Sequence, residues 1–558
     1  MRPPAPLLSA AARAAAPAAM LSSPTPTTAG SPQTVHKVGV IDFELDYEPI
    51  DGSGAAASST TTSWPSSSSP SPSPPPLDHS RHLVGSFYYP AAAPSTQRAH
   101  RWSPTFYHTR SYVSFASRMS PDHGTALRKA KTLAMAAVSH GVLLAAGIRV
   151  SADAGRAAPP LKETGTPFGA VVFSHGLGGS RAAYSAFAAA LASAGFGVLA
   201  IEHADGTAAV AKLAGTRGFK DYERWQPGGE QLQARGEARR AELAAAARVW
   251  RALLLAPSKE GDAEKEREAL LGGGRLSLEG GTLPLDFFVG AVDPGSAPAV
   301  VGHSFGGALA ADAAAGGGAN AADADDGKEE KEKDEENDLL FSAAVCLDPW
   351  WGALPPGSPA ATSSDDRTPS TRRAPLLVLG SDAWNTPNAE GELFCGREQQ
   401  ERVLSSFAQK SSISSSTSSS KNNDNGNNGG ALFAVLKGSS HQGFSDVVSL
   451  VPALSKLFYG RRRAAAAATR VAEAAAAAAG GKVQEVEEEE EEEESTTTAV
   501  TEATDPISTA KAAAEMSAAF LMRRRHEGGS GRVTAEDAAA VVAAARGVGV
   551  ELRELRVV

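Results

Sequence analysis

Residues 297–315 read APAVVGHSFGGALAADAAA. The run APAVV is short, apolar and β-branched at its end, which suits a strand. ALAADAAA is a run of strong helix formers. Between them lies GHSFGG (302–307), a G-x-S-x-G pattern centred on Ser304. A strand that turns directly into a helix at such a serine is a nucleophile elbow: the turn is tight and strained, and the hydroxyl stands clear at the carboxyl edge of a sheet. Side chains at Gly302 and Gly306 would collide with neighbouring backbone, and the helix N-terminus behind Ser304 favours developing negative charge. In a chain with 55 glycines the bare pattern is weak. Its place between a strand and a helix gives it weight.

The pattern around the elbow is an alternation of strands and helices. GAVVFSHG (169–176), VLAIEH (198–203), AAVCLDP (343–349), APLLVLGSD (374–382) and LFAVLKGSSH (432–441) are further strands. Those around the elbow are continuously apolar, hence buried on both faces, as in a parallel sheet between helix layers. SRAAYSAFAAALASAGFG supplies a helix after the first of them, and residues 220–256 a long polar helix. VGVIDFELDY (38–47) and HLVGSFYYPA (82–91) alternate as strands do. HQGFSDVVSLVPALSKLF and 505–525 read as helices. One large domain over 36–526 is expected, with low-complexity insertions near 51–80, 319–338, 411–430 and 463–500 that cannot bury a core. Residues 1–35 form an extension, and 527–558 a helical tail.

Composition narrows the function. The net charge of -10 argues against a general nucleic-acid binder. Cys346 and Cys395, the two cysteines, fit neither a disulfide framework nor a zinc site and are read as reduced. No metal cluster or cofactor motif is offered. HGLGG (175–179) lacks the Lys-Ser/Thr pair of a phosphate loop. The first forty residues hold no acid and include Arg2 and Arg13. An organellar transit peptide, a poor secretory signal and a plain extension all remain open. No segment reaches the ~18 uninterrupted apolar residues of a spanning helix. The glutamate run 487–494 is read as a solvated block.

A serine hydroxyl needs a base, and in this chain order the base follows the acid. His441, after a late strand, fits. His303 sits on the strained turn and is read as structural, and His175 and His203 precede the serine. Asp348 and Asp382 both end strands, and position alone does not separate them as the acid; the commonest arrangement in such sheets uses the later strand, which favours Asp382. The oxyanion would be met by two backbone N–H groups, that of Phe305 and one from HGLGG, where Leu177 can turn inward.

FSHGLGGSRAAYSAFAAALASAGFGVLAIEHADGTA, GHSFGG, LDPWWGALP and GSSHQGFSD, in this order, resemble the platelet-activating factor acetylhydrolase family. Fainter similarity in VGVIDFELDY, GSFYYPA, Arg101–Trp102 and ISTAKAAAEMSAAFL extends it over about 38–526. The resemblance implies an α/β-hydrolase fold, a mostly parallel sheet with helices on both faces. It implies calcium-independent hydrolysis of the sn-2 ester of a glycerophospholipid whose acyl group is short or oxidised. It assigns Ser304 as nucleophile, His441 as base, Asp348 as acid with Asp382 as runner-up, and the amides of Leu177 and Phe305 as oxyanion donors. It also implies contact with a lipid surface through residues 128–148, where Arg128, Lys129 and Lys131 precede an apolar stretch; a buried packing helix is the other reading. A carboxylesterase or chlorophyllase-like enzyme acting on another ester, and a non-catalytic binding module, are the alternatives. Oligomeric state is left open.

Overall fold

The computed structural model describes residues 36–46, 82–118, 126–162, 168–213, 218–223, 230–255, 262–293, 297–316, 340–355, 357–361, 373–387, 393, 395–408, 430–446, 506–526 and 532–558. The expected extension and insertions fall largely outside these residues, as does most of the helix read after His441.

Strands β1 (Lys37–Asp46) and β2 (His82–Ala91) pair as a long antiparallel ribbon. Helices α1 (Phe106–Arg118) and α2 (Ala126–Ala146) follow. Then come β3 (Gly155–Arg156), β4 (Gly169–Ser174), α3 (Ser185–Ser193) and β5 (Phe196–Glu202). A small hairpin, β6 (Val210–Lys212) and β7 (Phe219–Asp221), precedes α4 (Glu230–Leu254), α5 (Asp262–Leu271) and β8 (Arg275–Leu278). The chain continues through β9 (Ala299–His303), α6 (Phe305–Ala314), β10 (Ala344–Leu347), β11 (Leu376–Ser381), the single-turn α7 (Asp382–Asn385) and α8 (Arg397–Ala408). It ends with β12 (Ala431–Leu436), α9 (Pro506–His526), α10 (Ala535–Gly547) and β13 (Leu552–Val557).

The sheet runs β13-β12-β11-β10-β9-β4-β5-β2-β1-β3, with β8 beside β1. The six strands from β12 to β5 are mutually parallel, and antiparallel neighbours close both sides. Parallel strands carry helices on both faces, which explains their unbroken apolar sequences. Alternate residues serve two cores. Val172, Val300, Ala344 and Val378 face Trp250, Phe305 and Leu309 on one side. Val171, Val301, Val345 and Leu377 face Phe187, Leu191, Met516 and Phe520 on the other. This is the α/β-hydrolase arrangement. The strand order reverses between β4 and β9, since β4 leads outward to β5 while β9 leads to β10. Sites form in the crevice at such a switch point, beyond the strands' carboxyl ends. The loop after β4 is HGLGG, and β9 turns into α6 within GHSFGG.

In the expected helical tail, Ala535–Gly547 is a helix, and an unexpected strand follows it. Thr534 caps α10 in a capping box with Asp537, whose carboxylate also receives Arg524 of α9 at 2.5 Å. The chain then adds β13 to the sheet, antiparallel to β12 with Leu432 opposite Val557. LRELRV spaces its apolar residues, Leu552, Leu555 and Val557, by three and then two, which singles out neither a helix nor a strand, so only the pairing partner decides. The long helix read over 220–256 begins at Glu230, after β7.

Asp446 ties the segment bearing His441 to the start of α3. The N-cap residue Tyr184 makes no side-chain cap bond. Asp446 replaces it: Ser185 Oγ donates to its carboxylate at 2.5 Å and the Ala186 N–H at 3.1 Å. Burial pushes this carboxyl up to about 6, against the hydrogen bonds from Ser185 and Ala186 that pull it down. An acid whose folded value is raised stabilises the fold while protonated. That contribution is full below its ordinary value of 3.8 and is lost as pH rises through about 6. Asp446→Asn should therefore flatten the fall in melting temperature between pH 4 and 7, by about 5 °C or more across the interval. Thermal melts at the two ends check this; an unchanged slope would place the titration elsewhere.

Candidate active site

Ser304 lies between β9 and α6 with φ 56° and ψ -117°. A non-glycine residue there stores on the order of 1–3 kcal/mol of strain, which the surroundings must hold. They do so through the main chain: Ser304 N–H donates to Leu347 O at 2.9 Å, and Trp350 N–H donates to Ser304 O at 2.9 Å. The elbow glycines have the expected cause. A Cβ at Gly302 would sit 2.2 Å from Gly306 O, and one at Gly306 would sit 2.4 Å from Ser174 O.

His441 opens a short 3-10 turn after β12. Its Nδ1 lies 2.7 Å from Asp348 Oδ2. A carboxylate oxygen accepts, so Nδ1 carries the proton and Nε2 keeps a lone pair, the tautomer of a general base. Asp348, just past β10, has φ 43° and is a second strained residue beside the first. Its Oδ1 accepts from Ser381 N–H at 2.8 Å and its Oδ2 from Ser381 Oγ at 2.5 Å. The carboxylate is thus held on both oxygens while it meets the imidazole.

Asp382 is occupied elsewhere. Its Oδ1 receives Arg553 of β13 at 2.6 Å and its Oδ2 the Gly438 N–H at 3.0 Å. It fastens the edge strand rather than the histidine. The structure brings Asp348, not Asp382, to His441.

His303 packs against His441 with ring centroids 4.5 Å apart. Its Nε2 lies 3.0 Å from His441 O, and its Nδ1 lies 2.7 Å from Tyr184 Oη. The carbonyl can only accept, so Nε2 donates and Nδ1 accepts from the tyrosine. Burial first, and the His441 ring second, hold His303 well below the usual imidazole range. A neutral ring of fixed tautomer braces the backbone of residue 441, in keeping with a structural role.

The loop His175–Gly179 passes directly over the serine, since a Cβ at Gly176 would lie 3.0 Å from Ser304 Cβ. The Gly178 N–H donates to Thr207 O at 2.8 Å. His175 is buried, donates through Nδ1 to Gly176 O at 2.8 Å and accepts the His203 N–H on Nε2 at 3.1 Å. Burial and then Arg239 push it down to about 3. His203 bonds Ser174 Oγ at 2.7 Å and the carboxylate of Glu242. Burial raises Glu242 well above the usual carboxylate range. Neither His175 nor His203 faces Ser304 as a base.

Two contributors have no local sequence signal. Trp384 of α7 stacks on the His441 ring, centroids 3.4 Å apart and planes 5° from parallel. Arg239 of α4 reaches the loop from below. Cys346 and Cys395 are buried and free. Among the described residues no group of three or more His, Cys, Asp or Glu side chains could hold a metal ion.

Comparison with known proteins agrees with the motifs. The family model described as "Platelet-activating factor acetylhydrolase, isoform II" matches residues 129–243. That span holds most of α2, the loop over the serine and β5, and ends before Ser304, Asp348 and His441. A platelet-activating factor acetylhydrolase of Canis lupus familiaris is 41% identical over 86 residues, 14% of this chain and 19% of that protein. One of Cavia porcellus is 33% identical over 160 residues, 27% of this chain and 32% of that protein. The matched spans are thus a third or less of either relative's length. A solved ferulic acid esterase from Streptomyces cinnamoneus aligns over 76% of this chain and 80% of its own, at 18% identity and a TM-score of 0.37. In sequence this chain is similar, over part of its length, to the platelet-activating factor acetylhydrolases, and its sheet has the α/β-hydrolase arrangement.

Proposed function

We propose that the protein is a serine esterase that hydrolyses the sn-2 ester of platelet-activating factor-like glycerophospholipids carrying short or oxidised acyl groups. The hydrogen bond from His441 Nδ1 to Asp348, beside a serine held at positive φ, carries this reading. Ser304 Oγ attacks the acyl carbonyl as His441 Nε2 takes its proton. The oxyanion is met by the N–H groups of Leu177 and Phe305. The imidazolium returns its proton to the leaving glycerol oxygen, and an acyl-enzyme remains. Water then repeats the sequence, its proton going to His441, and the free acid leaves. No step calls for calcium or another metal. The test is purified protein against phosphatidylcholines with short, oxidised and long sn-2 chains in the presence of a chelator. Faster cleavage of the short and oxidised chains supports the proposal. Preference for chlorophyll or simple carboxylic esters would favour the other hydrolase reading, and inertness in a folded protein the binding module.

Access from a lipid surface is part of the same proposal. No helix among the described residues is long and apolar enough to cross a membrane. Helix α2 instead exposes an apolar face: Leu133 is 52%, Val138 69% and Val142 55% exposed. Such a face, on a helix packed against α1 whose Phe115 and Tyr112 touch Gly178 and Ser180, suits a monolayer surface better than water. Leu144 shares it, while Leu143 is half-buried. Val138→Glu with Val142→Glu should weaken binding to phosphatidylcholine vesicles about tenfold or more, with turnover of a soluble ester unchanged. Equal loss of both activities would make α2 a part of the core.

A further inference from the structure

Arg239 of α4 is fully buried. A cation so placed is costly unless every contact is well made, so its partners show what it is for. Its Nε donates to Asp205 Oδ2 at 3.1 Å, and one terminal nitrogen donates to the Thr207 hydroxyl. These would suffice for a structural ion pair. The other terminal nitrogen donates to His175 O at 2.6 Å. The guanidinium carbon also lies 4.4 Å from the centre of the Phe305 ring.

Each contact touches the neighbourhood of an oxyanion donor. The His175 carbonyl fixes the peptide that leads into Gly176 and Leu177. Thr207, gripped by both Arg239 and Asp205, presents the carbonyl that receives Gly178 N–H at 2.8 Å, on the far side of Leu177. Phe305, the second donor residue, has its ring against the same guanidinium. Leu177 lies in the loop after β4 and Phe305 opens α6 after β9, so the two follow different strands. One rigid fork spans the two, as the planar guanidinium allows and an ammonium does not. Preorganised donors matter because catalysis gains only when they already aim at the position where charge develops.

We propose that Arg239 is a positioning residue that sets the two oxyanion donors, the Leu177 and Phe305 amides, relative to each other. This rests on the serine-esterase reading above. Arg239 is buried and does not itself meet substrate, so the loss should fall on kcat and leave KM nearly unchanged.

Removing Arg239 alone leaves Asp205 buried without its cation, so the test uses Arg239→Met together with Asp205→Asn in the full chain. In folded protein kcat for a soluble short-chain ester is expected to fall by about a hundredfold or more, with KM within about threefold. Affinity for an alkylboronic acid, which adds the serine oxygen and mimics the tetrahedral state, should fall in the same proportion. Arg239→Lys keeps the charge but loses the fork, and should lose about tenfold in kcat. The proposal is overturned if kcat stays within threefold of wild type, or if kcat falls while boronic-acid affinity is unchanged. Should the double variant fail to fold, full kcat in Arg239→Lys overturns it by itself. Wild-type protein that refuses a fluorophosphonate ends the esterase reading and this inference with it. Labelled wild type with a fully active variant ends this inference alone.

Discussion

Ser304→Ala is expected to lower turnover of both soluble esters and short-chain phosphatidylcholine by about 10⁴-fold or more, and to abolish labelling by a fluorophosphonate. The fold should survive, because the elbow is held by main-chain bonds, Ser304 N–H to Leu347 O and Trp350 N–H to Ser304 O, that alanine keeps. A melting temperature near wild type therefore separates lost chemistry from lost structure. The labelled residue, read by mass spectrometry of the wild type, makes the test sharper, because the molecule contains a second serine–histidine–carboxylate chain. Ser174 Oγ, His203 and Glu242 are hydrogen-bonded in series. All three are fully buried behind the sheet's carboxyl edge, and Ser174 is an ordinary strand residue of β4. Connectivity alone does not make a nucleophile: a hydroxyl must also meet a carbonyl carbon. Label on Ser174, or more than a tenth of wild-type turnover in Ser304→Ala, would dismantle the assignment.

The contrast between these two serines shows what a sequence can and cannot carry. Ser304 was legible because its strain has a local cause, glycines at 302 and 306 between a strand and a helix, that can be read in six residues. The six parallel strands were legible because burial on both faces confines polar residues to their carboxyl ends, at Ser174, Glu202, His303 and Ser381. The choice between Asp348 and Asp382 was not legible from the residues. Both end apolar strands, and their difference lies in partners from far along the chain: His441 and Ser381 for one, Arg553 for the other. Trp384 over His441 and Arg239 under the His175 carbonyl have no local signature for the same reason. The strand β13 was hidden differently. Its half-buried positions are Leu552, Glu554 and Arg556 while Leu555 and Val557 are exposed, so its apolar residues do not mark the buried face, and its identity comes from β12.

The two aspartates should separate by orders of magnitude when each is changed to asparagine. In Asp348→Asn the side chain keeps its shape, so Ser381 can still donate to its oxygen. The amide nitrogen then faces His441 Nδ1 as a donor and favours the tautomer with the proton on Nε2. The lone pair that should take the serine proton is gone, and the imidazolium formed on attack has no carboxylate beside it. A fall in kcat of about 10⁴-fold is expected, with KM nearly unchanged. Asp382→Asn loses a half-exposed ion pair to Arg553, a contact worth about 1 kcal/mol or less. It keeps an oxygen for the Gly438 N–H. Turnover should stay within about threefold of wild type, and the cost should appear as a small drop in melting temperature at the β12–β13 edge. Steady-state kinetics and thermal melts on the two variants decide between the carboxylates. Equal activity in both would detach the 2.7 Å bond between Asp348 and His441 from catalysis. A larger loss in Asp382→Asn would mean that the working enzyme rearranges β11 and α7 to bring the other carboxylate to the imidazole.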